Sequence, residues 1–76
     1  MQKESRSLEL IRARIRHELQ ERDLSIQALA DGSGLTRSWV SNALHGKVAL
    51  SFADADAIAK FLGISLADMI SEKIFA

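Results

Sequence analysis

Arg37, Ser38, Ser41, Asn42 and His45 are all hydrogen-bonding side chains, with no acid among them, inside the stretch LTRSWVSNALHG at residues 35–46. Read as a helix, that stretch puts Val40, Ala43 and Leu44 at i, i+3 and i+4, one apolar face for a core. The polar residues fall on the opposite side. A guanidinium fork matches the O6 and N7 acceptors of guanine, and a carboxamide matches the N6 and N7 groups of adenine. A helix packed on one side and uncharged to basic on the other therefore suits insertion into a DNA major groove. Ser38 and Ser41 fit equally well as small surface residues. Thr36 can cap the start of this helix with its hydroxyl. Gly46 can close its end in the left-handed conformation.

The rest of the chain must hold that helix. Its 76 residues include no cysteine and only two histidines, far apart in sequence, so neither a disulfide nor a thiolate metal site is available and zinc is not expected. A chain this short buries only about 60% of its unfolded surface, which leaves stability marginal or shared with a partner. No apolar run approaches the roughly 20 residues of a membrane span, and no signal peptide pattern opens the sequence. The expectation is one soluble, cytoplasmic domain over residues 1–76 that needs no cofactor. Formal net charge is zero, with ten basic and ten acidic residues. Residues 1–50 nevertheless hold eight of the basic and six of the acidic residues, so the front is mildly basic.

The periodicity predicts five helices and no strand, repeat or low-complexity segment. Helix 1 runs from Ser5 or Ser7 to about Glu21, with Leu8, Ile11, Ile15 and Leu19 as its apolar stripe. Its outer side mixes Arg6, Arg14 and His17 with Glu9, Glu18 and Glu21, the pattern of a solvated, ion-paired face. Leu10 points off the stripe and has no assignment within the monomer. Helix 2 begins after Ser25 and covers 26–31, and the glycines at 32 and 34 then break the pattern. Two helices joined by three or four glycine-containing residues make a helix-turn-helix, here at about 25–45. Ser51 caps a fourth helix whose stripe is Phe52, Ala55, Ile58, Ala59 and Leu62, ended by Gly63. Ser65 caps a fifth, over about 66–75, with Leu66 and Met69 turned inward and Ile70, Ile74 and Phe75 left for a second copy of the chain.

These residues together resemble the lambda-repressor-like helix-turn-helix family, of the phage repressor and Cro type, over positions 8–70. The resemblance rests on Ile11 and Ile15, Leu24-Ser25, Leu29-Ala30, Gly34-Leu35, Val40, Gly46-Lys47 and the run from Ile58 to Ser65. It implies an all-α, compact five-helix domain with the helix-turn-helix at helices 2 and 3. It also implies a homodimeric transcriptional regulator of double-stranded DNA, a repressor on a pseudo-palindromic operator. Carried over by position, Arg37, Ser38, Ser41 and Asn42 become candidates for base contacts, and Thr36, His45 and Lys47 for phosphate contacts. The family often has glutamine at the first position of helix 2; here that position is Ile26, and Gln27 beside it is the substitute candidate for phosphate. An arginine–glutamate pair common in the family falls on Leu19 and Leu44, an apolar replacement that a fold tolerates. Trp39, next to the polar face, reads as a packing residue.

Enzyme chemistry has no support in the sequence. Asp54 and Asp56 stand two apart and diverge on a helix, and Gly32-Ser33-Gly34 is too short to cradle a phosphate. The rival reading is a protein-interaction module, or an antitoxin-type regulator, that works through the apolar C-terminal side. It leaves room for a protein antagonist or co-regulator. A steep salt dependence of duplex binding belongs only to the first reading.

Overall fold

The computed structural model describes residues 6–70, and within them five helices and no strand are formed. They are α1 (Arg6–Glu21), α2 (Ile26–Ser33), α3 (Arg37–Leu44), α4 (Phe52–Leu62) and α5 (Leu66–Met69). The starts of α2 to α5 are set by hydroxyl caps. Ser25, Thr36, Ser51 and Ser65 each accept the backbone N–H three residues on, at 3.0 to 3.1 Å. Every helix then delivers a fully buried side chain to one core: Ile11 and Ile15 from α1, Leu29, Val40, Ile58 and Met69 from the others. Burial on that scale contributes about 1.5–3 kcal/mol per side chain. α2 packs on α3 and α4, while α5 lies against α1 and α4. The molecule is an all-α domain of five helices over the described residues.

Leu19 and Leu44 both enter this core, 8% and 5% exposed, where the resemblance placed an ion pair in other members. Trp39 packs against the core from the edge, as expected of a packing residue. Leu10, off the stripe, is half-buried.

Four expectations need correcting. α2 does not stop at Asp31 but continues through Gly32 to Ser33, and Gly34 ends it at φ 74°. The Leu35 N–H closes the end on the Ala30 carbonyl at 2.9 Å. Gly32 is thus a helical residue, and its missing side chain is filled by another: a Cβ there would overlap the Phe61 ring of α4. Phe52 does not join the apolar stripe of α4, being 60% exposed at its first residue. The outer side of α1 is not simply solvated. Arg14 is 8% exposed, pairs with Glu18 at 2.8 Å and reaches the Asp68 carbonyl at 3.2 Å, so it fastens α1 to α5. Finally, the α5 helix ends at Met69, with Ile70 turning out of it. The expected continuation through Ile74 and Phe75 lies outside the described residues.

Candidate nucleic-acid interface

α3 is held from both ends and from below. Thr36 accepts the Trp39 N–H at 3.1 Å and fixes the first turn. At the other end the Gly46 N–H bonds the Ala43 carbonyl at 3.2 Å and the Lys47 N–H bonds the Asn42 carbonyl at 2.8 Å. That pairing needs a left-handed residue between helix and exit, and Gly46 supplies it at φ 76°. Its consequence is to bring Lys47 back beside the helix terminus, with its side chain exposed.

Two arginines of α1 complete the anchoring. Arg12 donates its Nε–H to the Ala43 carbonyl and its Nη2–H to the Val48 carbonyl at 3.2 Å. Arg16 donates from Nη1 to the Leu44 carbonyl at 2.7 Å. The last carbonyls of a helix lack intrahelical partners and sit at the negative end of its dipole, so cationic donors are the favoured partners there. Burial, and then the like charge of Arg16, lower the Arg12 pKa. An arginine nonetheless keeps its proton, and so its donors. These contacts were not anticipated. The signal for them was present: Arg12 and Arg16 stand at i, i+4, a like-charge pair where helix surfaces normally alternate sign.

With its inner face fixed, α3 turns the expected base-reading residues outward together. Arg37, Ser38, Ser41 and Asn42 line one open groove of about 410 Å³, and among the described residues Ile26 at the start of α2 lines it with them. Arg37 and Ser38 are exposed, and Ser41 and Asn42 half-buried. Two of the lining side chains are small hydroxyls, which fill little of the groove, and one is a long cation. Among the described residues no acidic side chain lines it.

The candidates for phosphate contact are spread around this groove rather than in it. Thr36 is exposed and already serves as the cap. His45, exposed after the last turn, uses Nδ1 to hold the Ser41 carbonyl at 2.7 Å. That bond requires the proton on Nδ1, so a phosphate is met by Nε2 only when the ring is doubly protonated. Gln27 is exposed on α2 and donates from Nε2 to Asp31 at 2.9 Å, which ties its amide to an acid of the same helix. Ile70 is 38% exposed, directly after the last residue of α5. Ile74 and Phe75, named with it for the subunit contact, are outside the described residues.

Among the described residues no group of three or more His, Cys, Asp or Glu could hold a metal ion. No helix among them is long and apolar enough to cross a membrane.

Comparison with known proteins adds a single finding. Residues 14–71 match the family model of the Cro/C1-type HTH DNA-binding domain, a span that covers α2 to α5 and the second half of α1. No curated protein and no solved structure matches the chain. A match over most of the chain, on a fold whose second and third helices form the expected turn, shows that this chain belongs to the Cro/C1-type helix-turn-helix family of DNA-binding domains.

Proposed function

We propose that the protein is a repressor of transcription that binds a pseudo-palindromic operator as a homodimer. The observation that carries the reading is the groove on α3. Four side chains that can read base edges line one concavity, with no acid among the described lining residues, on a helix whose other face is the core. In this reading Arg37, Ser38, Ser41 and Asn42 face the bases, while Thr36, His45, Lys47 and Gln27 approach the backbone on either side. A helix of eight residues reaches only a few base pairs, so a usable site needs two copies. The second copy is supported by Ile70, which is exposed immediately after the fully buried Met69. The proposed subunit contact is built from Ile70, Ile74 and Phe75. Residues 1–76 act in this scheme as one domain.

The test is selection of bound sequences from a pool of random duplexes. The expected result is a palindrome with half-sites centred about 10 bp apart or a multiple of that spacing. Enrichment of no sequence, with weak binding equal for all duplexes, would refute the reading.

A further inference from the structure

Ile26 is the one groove residue that the hydrogen-bonding account leaves unused. It opens α2 directly after the Ser25 cap, is half-buried, packs in part against the core, and shares the concavity with Arg37, Ser38, Ser41 and Asn42. It is therefore an apolar side chain among otherwise polar described lining residues. Branching at Cβ restricts its first torsion, so little rotamer freedom is lost on contact. Core packing fixes it further. The major-groove edge of a base pair offers one apolar feature, the C5-methyl group of thymine. Ser38 and Ser41 do not fill the cleft and leave room for a base edge to approach. We propose that Ile26 reads a thymine methyl, so that α2 as well as α3 specifies the operator. This rests on the DNA-binding reading above, and it names the base that the apolar residue would select.

The experiment replaces each thymine of the selected operator in turn by deoxyuridine, which removes the methyl and keeps every hydrogen-bonding group. Burying one methyl corresponds to about a three- to fivefold change in affinity. The wild-type protein is expected to lose about that factor at one symmetric pair of positions. Ile26→Ala should bind the thymine operator about as weakly as wild type binds the deoxyuridine one, and should be indifferent to the replacement. If Ile26→Ala loses its helical circular dichroism, Ile26→Val takes its place and must show a smaller penalty at the same positions. An operator at which no deoxyuridine weakens the wild type overturns the proposal while leaving the DNA-binding reading intact. So does a penalty that persists unchanged in the Ile26 variant, since another residue then reads the methyl. Failure to select any operator overturns both.

Discussion

Arg37 and Lys47 carry the same charge and should fail in different ways when removed. Arg37 stands in the groove, where a bidentate contact to a guanine edge distinguishes one base pair from the others. Arg37→Ala is expected to cost about 1–3 kcal/mol on the selected operator and to relax preference at a single position. Lys47 sits outside the groove beyond the end of α3, and a phosphate contact carries no sequence information. Lys47→Ala should weaken all duplexes alike and reduce the slope of log affinity against log salt by about one. An unchanged selected motif for Arg37→Ala would remove that residue from the readout. A different titration concerns Glu18. Burial raises its carboxyl, but hydrogen bonds from Arg14 and Arg22, aided by their charges, outweigh that and hold it below its ordinary value of 4.5. A carboxyl depressed in the folded state stabilises fully above its unfolded pKa and loses that contribution as pH falls through the folded one. Relative to Glu18→Gln, the wild type should therefore be the more heat-stable near neutral pH, and the gap should close below 4.5. A gap independent of pH would mean the ion pairs contribute nothing. What the residue types disclosed was the polar face of α3, because helical period alone decides which side chains share it. What they hid were the arginine contacts of α1. Their acceptors are backbone carbonyls 28, 31 and 54 positions away, and a carbonyl leaves no mark in the residue alphabet.

At the scale of elements, caps made the helix starts readable, since a hydroxyl followed by an apolar period fixes them locally. The end of α2 was less accessible. Gly32 looks like a breaker when seen along the chain, yet it lies inside the helix because a ring from α4 occupies the space of its absent side chain. That role depends on a neighbour 29 positions on (61 − 32) and no local rule contains it. It also changes the sign of a familiar substitution. Glycine to alanine in an exposed helix usually gains about 1 kcal/mol. Here the Phe61 ring must swing away, so Gly32→Ala should be destabilising in the native background. In a Phe61→Ala background the same change should recover the usual gain. Denaturant unfolding of the four proteins measures the coupling, and an equal effect in both backgrounds would show that the ring and the glycine do not meet. Phe52 failed for the opposite reason. It has the spacing of a core residue, but as the first residue of α4 it lies at the end of the stripe and stays exposed.

For the whole molecule, two surfaces are proposed: the groove on α2 and α3, and a subunit contact that starts at the exposed Ile70. If the second is the subunit contact, Ile70→Glu should sediment as a monomer, retain its helical circular dichroism and bind the operator far more weakly, since one subunit holds half a site. Sedimentation unchanged from wild type would place the interface elsewhere, with the half-buried Leu10 of α1 the next position to substitute. The central claim is that the groove lined by Ile26, Arg37, Ser38, Ser41 and Asn42 is the surface that meets DNA. Titrating isotope-labelled protein with the selected operator and following its backbone amide resonances tests this most directly. The account requires the largest changes at residues 36–47 and at Ile26, with α4 at Phe52 little affected. Changes concentrated at Phe52, with α3 silent, would contradict it.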